Sequence, residues 1–196
     1  MRDILHTLDS ELSSIVDTAR KSLVQVRIGR QGVGAGTILH SDGLVVTNAH
    51  VVKDKQPEIT LWDGAQYRAR LLAVDKKVDL ALLTMEASDL PVIDMGNGSH
   101  LHAGHWVVAL GHPWGVRGAT TAGMVISVGK PIEGLGYPGP LIQVGLHLRP
   151  GHSGGPMVDS RGRLVGINTM IAGPQVGLAV PIQTVKRFLK QSLGSN

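Results

Sequence analysis

Apolar residues near the start of the chain recur at three- and four-residue steps. Within residues 4–19 the apolar positions are Ile4, Leu5, Leu8, Leu12, Ile15, Val16 and Ala19. This spacing follows the period of an α-helix, so these side chains form a stripe along one face. The pattern therefore predicts an amphipathic N-terminal helix.

After this helix the pattern changes to short runs that are rich in β-branched residues and separated by glycine-containing turns, which predicts β-strands. The runs are residues 23–28, 35–39, 43–47, 59–62, 67–74, 80–84, 106–110, 121–128, 141–146, 156–159, 163–169 and 177–180. No helical pattern separates them, so they predict an all-β barrel or sandwich. A final helix is predicted at residues 181–193, beginning with a proline.

The strand pattern lapses between residues 89 and 104, where Leu-Pro, Gly-Asn-Gly-Ser and histidine-rich segments follow one another. We predict an N-terminal helix at 1–20, a first β unit at 21–95, a second at 96–181 and a C-terminal helix at 182–196. No Ser/Gly-rich or charged linker separates the two β units, so they are expected to pack directly on each other within one domain.

Composition narrows the chemistry that the chain can perform. With 196 residues, 42% hydrophobic content, 17% charged content and 26 glycines, the chain is long and apolar enough to fold around a core. It has no cysteine, which excludes disulfides, thiolate catalysis and zinc–thiolate sites. No apolar run predicts a membrane span, and the N-terminus lacks a leader pattern.

The net charge of +4 raises the alternative of nucleic-acid binding. The basic residues are dispersed along the chain, however, and only one Phe and two Tyr are available to stack on bases alongside three Trp. We therefore predict no nucleic-acid partner.

Three polar residues lie at the ends of apolar strands in an order that suggests nucleophilic catalysis. Ser153 lies in Gly-His-Ser-Gly-Gly-Pro, His50 follows an apolar run, and Asp79 immediately precedes another. Taken singly, they could be a turn serine, a core histidine and a strand-capping aspartate. A serine hydroxyl needs a histidine base, and that base needs a carboxylate to orient it, so the three together predict a catalytic triad. Backbone N–H groups of Gly151 and Ser153 would form the oxyanion hole.

These motifs resemble those of trypsin-like serine proteases, and specifically the protease domain of the HtrA/Deg family. The resemblance rests on Thr-Asn-Ala-His-Val-Val at 47–52, Asp-Leu-Ala-Leu-Leu at 79–83 and the serine motif at 151–156, with further similarity at 111–115, 121–125, 166–169 and 179–181. It implies two packed six-stranded antiparallel β-barrels with the active site between them. The match covers the protease domain of that family and not its PDZ domain.

The resemblance also implies a function and a set of binding residues. It implies an endopeptidase of unfolded proteins in protein quality control, outside the bacterial cytoplasm, with no metal or organic cofactor and with assembly into homotrimers. The residues preceding the scissile bond would bind at Leu148, Thr169, Met170, Ile171 and Ala172. The resemblance implies a preference for small aliphatic side chains at this pocket. No aspartate lies in these segments, so cleavage after Lys or Arg is not expected, and an apolar pocket selects by burial and size. The alternative is a non-catalytic peptide-binding module with the same fold.

Two histidine features remain open at this level. The family usually has asparagine where this chain has His152, which would either titrate between pH 6 and 7 or be an exposed, tolerated side chain. His100, His102, His105 and His112 form a cluster in the sequence that could bind a metal, but no accompanying carboxylate motif supports this. We therefore predict no metal site.

Overall fold

The structure, a computed structural model, describes residues 2–27, 33–52, 56–132 and 134–194. Ile28, which ends the first predicted strand, and the terminal residues Met1, Ser195 and Asn196 lie outside this range. No helix in the described residues is long and apolar enough to cross a membrane.

Six strands form the first closed barrel, in the order β1-β2-β3-β6-β5-β4 with every neighbouring pair antiparallel. They are β1 (Leu23–Arg27), β2 (Val33–His40), β3 (Leu44–Thr47), β4 (Glu58–Thr60), β5 (Gln66–Asp75) and β6 (Leu80–Met85). The barrel encloses a core of fully buried aliphatic side chains such as Val24, Ile38 and Leu83.

The second closed barrel has the order β10-β11-β12-β9-β8-β7, again antiparallel throughout. Its strands are β7 (Trp106–Gly111), β8 (Ala119–Lys130), β9 (Leu141–Gly145), β10 (Pro156–Asp159), β11 (Leu164–Ile171) and β12 (Val176–Pro181), with a short 3₁₀ turn at Pro113–Gly115. Val107, Ile142 and Val165 lie in its core. The predicted double-barrel fold is confirmed.

A further core cluster joins the two barrels and both helices. Helix α1 (Arg2–Lys21) and helix α2 (Ile182–Leu193) contribute to it through their apolar faces. Its members include Ala19, Val46, Leu80, Leu82, Val108, Leu110, Ile167 and Phe188. Because this apolar contact is shared, burial of one barrel's surface depends on the other.

The first turns of α1 extend beyond this packing. Its later apolar residues, Leu12, Ile15 and Val16, pack against the shared core, whereas Ile4 and Leu8 are largely exposed. The amphipathic pattern therefore predicts the helix along its length, but only its C-terminal half is covered by the barrels.

Candidate active site

His50 and Asp79 meet beside the first barrel. His50 lies in the turn after β3, and Asp79 directly precedes β6, which pairs with β3. His50 Nδ1 is 2.8 Å from Asp79 Oδ2, and the His50 backbone N–H donates to Asp79 Oδ1 at 3.0 Å. With Nδ1–H donating to the carboxylate, Nε2 is left as the unprotonated, proton-accepting nitrogen.

The Asp79 carboxylate is buried but well supplied with donors. Thr169 Oγ1–H, from β11 of the second barrel, donates to Asp79 Oδ2 at 2.6 Å. Burial by itself would raise the pKa of Asp79, but the hydrogen bonds from His50 and Thr169 outweigh it and hold the pKa below its usual value. The carboxylate is therefore ionised at neutral pH, as a group that stabilises an imidazolium must be.

The backbone around Asp79 is strained and is held from both sides. Asp79 has a φ of 54°, in the left-handed region, which costs a non-glycine residue on the order of 1 kcal/mol. Asn48 Nδ2–H donates to the Asp79 carbonyl at 2.9 Å, and Tyr137 Oη–H donates to the Val78 carbonyl at 3.1 Å. Tyr137 comes from the loop between β8 and β9, so both barrels fix this turn.

Ser153 is held at the junction of the barrels by its own backbone and that of Gly154. The Ala35 N–H of β2 donates to the Ser153 carbonyl at 2.8 Å, and the Gly154 N–H donates to the Asn168 carbonyl at 2.9 Å. Gly154 has a φ of 88°, and a Cβ at this position would lie 2.0 Å from the Ala35 carbonyl oxygen. Only glycine fits here, because the serine loop presses directly on β2.

Ser153 and His50 line one pocket of about 280 Å³, together with Leu148, Arg149, Pro150, His152, Thr169, Met170 and Ile171. The Ser153 hydroxyl donates to the Thr169 carbonyl at 2.9 Å. Among the described residues it makes no hydrogen bond to His50 Nε2. His50 can therefore accept this proton only after the hydroxyl exchanges its hydrogen bond to Thr169 for one to His50 Nε2. Catalytic hydrogen bonds are often unformed in enzymes without substrate.

The loop before Ser153 leaves two N–H groups available. Within the described residues, neither the Gly151 N–H nor the Ser153 N–H donates a hydrogen bond. Gly151 has a φ of 104°, and a Cβ on it would lie 2.5 Å from the His112 carbonyl oxygen. The His112 N–H in turn donates to the Gly151 carbonyl at 2.8 Å. The turn after β7 thus holds the predicted oxyanion loop through backbone contacts that require glycine.

His112 is buried behind this loop, and its imidazole resists protonation. Burial lowers the pKa of His112 to about 4 from its usual 6.5. Its Nδ1 accepts a hydrogen bond from the Gly118 N–H at 3.3 Å, so the neutral ring keeps its proton on Nε2. His112 therefore serves the site as a neutral structural residue.

We predict that the protein loses stability on acidification between pH 6.5 and pH 4. The unfolded chain binds a proton at His112 below pH 6.5, whereas the folded protein does so only near pH 4. His112 alone should lower the free energy of unfolding by about 3 kcal/mol over this range, from the difference between its two pKa values, and the buried His152 adds to the fall with the same sign. Urea unfolding at a series of pH values measures it. His112→Gln, which can still accept from Gly118, should flatten the slope, and His102→Gln should not. An unchanged slope in His112→Gln would contradict the assignment.

The expectation that His152 is exposed is wrong. Its side chain is buried because the backbone of Gly111 packs against it, and a Cβ on Gly111 would lie 2.5 Å from the His152 Cα. Burial lowers the pKa of His152 below its usual value, so the ring is neutral near pH 7. The shift is toward the acidic side of the alternative expectation, a titration between pH 6 and 7.

The predicted substrate-pocket residues are only partly brought together. Leu148, Thr169, Met170 and Ile171 line the pocket that contains Ser153, whereas Ala172 does not. Ala172 lies just after β11 and donates its N–H to the Val176 carbonyl at 2.9 Å. Gly177 faces the same region, since a Cβ there would lie 2.7 Å from Leu146 and 2.8 Å from Leu148.

Three of the four histidines of the predicted cluster lie together, and the fourth does not. The ring centroid of His105 lies 3.7 Å from that of His102 and 6.4 Å from that of His100, whereas His112 is buried beside Gly151. His100 Nε2 lies 2.9 Å from Asp159 Oδ2. In residues 2–27, 33–52, 56–132 and 134–194, no group of three or more His, Cys, Asp or Glu side chains is placed to hold a metal ion.

Three contributors to the site were not recognised from the sequence. They are the Thr169 hydroxyl on Asp79, the Tyr137 hydroxyl on Val78, and Asn168, whose amide Nδ2 donates to the carbonyls of Leu110 and Pro156 beside the serine loop. The Gly-Ile-Asn-Thr segment at 166–169 is one of the motifs that carry the resemblance, but a motif does not show which distant groups its side chains contact. Thr169 and Tyr137 reach across to the first barrel, whereas Asn168 bonds within the second.

Two closed antiparallel barrels, with a histidine–aspartate pair and a serine at their junction, define the class of trypsin-like double-barrel proteins. The chain belongs to the trypsin-like peptidase domain family, whose sequence model matches residues 34–167.

Its relatives are HtrA- and DegP-type proteins, which confirms the resemblance seen in the motifs. It is 38% identical over 162 residues to the putative serine protease HhoB of Synechocystis, covering 80% of this chain and 39% of HhoB. It is 35% identical over 200 residues to serine protease HTR4 of Rattus norvegicus, covering 94% and 41%. It is 40% identical over 156 residues to a probable periplasmic serine endoprotease DegP-like of Pseudomonas fulva, covering 78% and 32%. The chain thus spans about two fifths or less of the length of these relatives.

A solved structure described as the HtrA-type protease AlgW with decapeptide has the same fold. It superposes with a TM-score of 0.85 at 25% identity, covering 92% of this chain and 67% of that one.

Proposed function

We propose that this chain is a serine endopeptidase domain in which Ser153 is the nucleophile, His50 the general base and Asp79 the residue that orients His50. The observation that carries the proposal is the 2.8 Å contact between His50 Nδ1 and Asp79 Oδ2, with His50 and Ser153 lining one pocket. Membership of the trypsin-like peptidase domain family supports it.

The geometry supports the following sequence of events. Asp79 holds the proton on His50 Nδ1, so Nε2 is free to accept the Ser153 proton once the hydroxyl leaves the Thr169 carbonyl. Ser153 Oγ attacks the peptide carbonyl, and the resulting oxyanion accepts hydrogen bonds from the Gly151 and Ser153 N–H groups. His50 then donates its proton to the leaving amine. Water next attacks the acyl group on Ser153 as His50 accepts one of its protons, and His50 returns that proton to Ser153 Oγ when the bond between Oγ and the acyl carbon breaks.

We further propose that the substrate is an unfolded polypeptide with a small aliphatic residue before the scissile bond. Leu148 is buried in the pocket wall and Met170 is half-buried there, so an aliphatic side chain would be selected by size and by burial of apolar surface. An extended peptide would add as a strand along residues 169–172. The decapeptide named for the HtrA-type protease AlgW is consistent with a peptide ligand.

The proposed setting is protein quality control outside the cytoplasm, with homotrimer formation. The DegP-like relatives are named as periplasmic endoproteases, which supports the location. The exposed Ile4 and Leu8 on the free half of α1 offer an apolar contact for another copy of the chain.

The proposal is tested by digestion of casein, an unstructured substrate, with and without an aryl sulfonyl fluoride, which sulfonylates activated serines with loss of fluoride. We expect casein to be cleaved, the reagent to abolish cleavage, and mass spectrometry to place the adduct on Ser153. An adduct on another serine, or cleavage that persists in its presence, would contradict the assignment of Ser153.

A second candidate is a peptide-binding module with the same fold and no turnover. The hydrogen bond from the Ser153 hydroxyl to the Thr169 carbonyl, rather than to His50, favours it. This candidate predicts that the unmodified protein binds casein without cleaving it.

A further inference from the structure

The pocket that contains Ser153 and His50 carries an exposed cation that the proposed reaction does not use. Arg149 lines this pocket and is exposed to solvent. Asp79 is the nearby acid of the site, but it is buried behind His50, and its oxygens already accept hydrogen bonds from His50 and Thr169. In the part of the chain that the structure describes, no carboxylate lies within salt-bridge distance of Arg149.

Arg149 is also held in place. Its guanidinium carbon lies 4.6 Å from the ring centroid of Trp114, in the turn after β7, a distance typical of a cation–π contact. Trp114 is itself largely exposed and does not line the pocket, so the contact with Trp114 lies at the surface and Arg149 is the member of the pair that reaches the pocket. Because the guanidinium is oriented before substrate arrives, less side-chain entropy is lost when it pairs with an anion.

No residue that lines the pocket carries a negative charge that would offset that of Arg149. Burial keeps His152 neutral near pH 7, and none of the other residues that line the pocket is an acid; they are His50, Leu148, Pro150, Ser153, Thr169, Met170 and Ile171. A positive charge at the rim of an apolar pocket favours a substrate that presents an aliphatic side chain to the pocket and a carboxylate beside it.

We propose that Arg149 is a specificity-determining residue that selects substrates with Asp or Glu next to the aliphatic residue at the scissile bond. This inference rests on the proposed function and adds the charge of the preferred substrate. A partly exposed ion pair contributes modestly, so we expect about a fivefold advantage in kcat/KM for Glu over Gln at the favoured position. The advantage should shrink as salt is raised, because salt screens exposed charges.

The test uses quenched fluorescent peptides with a central Val and with Glu, Gln or Lys on either side of it, one position at a time. At one of the two positions we expect kcat/KM to follow the order Glu, Gln, Lys. Arg149→Gln should remove the order, Arg149→Glu should reverse it, and Arg149→Lys, which keeps the charge without the planar stack, should retain it. Arg161→Glu, in the loop after β10, is the matched charge-reversal control and should leave the order unchanged.

The same peptides are also titrated against the Ser153→Ala variant by fluorescence anisotropy. This binding measurement separates the two proposals, since charge preference can be read without turnover. Absence of cleavage with an intact Glu preference in binding would overturn the proposed endopeptidase activity and support the role of Arg149. Equal binding and cleavage of Glu, Gln and Lys peptides, or a preference that survives in Arg149→Gln, would overturn the inference about Arg149.

Discussion

Replacing Ser153 by alanine is expected to lower kcat by about 10⁶-fold, because no other hydroxyl in the pocket can replace the nucleophile beside His50. The neighbouring hydroxyl, Thr169 Oγ1, is already committed to Asp79 at 2.6 Å. The atom that the substitution removes, Ser153 Oγ, makes one hydrogen bond, to the Thr169 carbonyl, so the folded structure should change little. Initial rates of peptide cleavage and the thermal unfolding midpoint measure the two effects separately.

Ser160→Ala is the matched control for this substitution. Ser160 is an exposed residue at the turn after β10, away from the pocket that contains His50. Ser160→Ala also removes one serine hydroxyl, and it should leave kcat within about twofold, as expected of an exposed surface substitution. If Ser153→Ala retained more than a hundredth of the original kcat while folded, Ser153 would not be the nucleophile.

The secondary structure of the chain was predictable because it depends on local periodicity. The stripe in residues 4–19 indicates α1, and the β-branched runs indicate the strands within a few residues of their observed ends. The pairing of these strands into two closed barrels does not follow from periodicity, which also fits a sandwich. The prediction of two barrels rests on the motifs around His50, Asp79 and Ser153, because their resemblance to a known family implies that topology.

The contacts that complete the site could not be predicted in this way, because they join residues that are far apart in sequence. Thr169 and Asp79 are separated by 90 residues, and Tyr137 and Val78 by 59. The burial of His152 also depends on a contact that is distant in sequence, since His152 lies in the loop before β10 and Gly111, which packs against it, ends β7. A histidine flanked by glycines in the sequence is expected to be exposed. Its burial becomes visible only when the packing of this loop against Gly111 is known.

Replacing Asp79 by asparagine should lower kcat/KM at neutral pH by about 10⁴-fold, since it changes the tautomer of His50. In the unsubstituted protein the Asp79 carboxylate accepts three hydrogen bonds, from His50 Nδ1–H, the His50 backbone N–H and Thr169 Oγ1–H. An amide has only one oxygen, so its NH₂ group must face one of these donors. If it faces His50 Nδ1, the ring accepts there and carries its proton on Nε2, where it cannot take the Ser153 proton.

Asp159→Asn is the control that separates this effect from general loss of a buried carboxylate. Asp159 is as buried as Asp79 and accepts hydrogen bonds from the N–H groups of Arg161 and Arg163 and from the Arg163 side chain, but it lies outside the pocket of Ser153. Both variants should lose on the order of 1–3 kcal/mol of stability in urea unfolding, the cost of leaving buried donors unpaired. Only Asp79→Asn should lose cleavage. Equal activity in the two folded variants would show that His50 does not depend on Asp79 for its orientation.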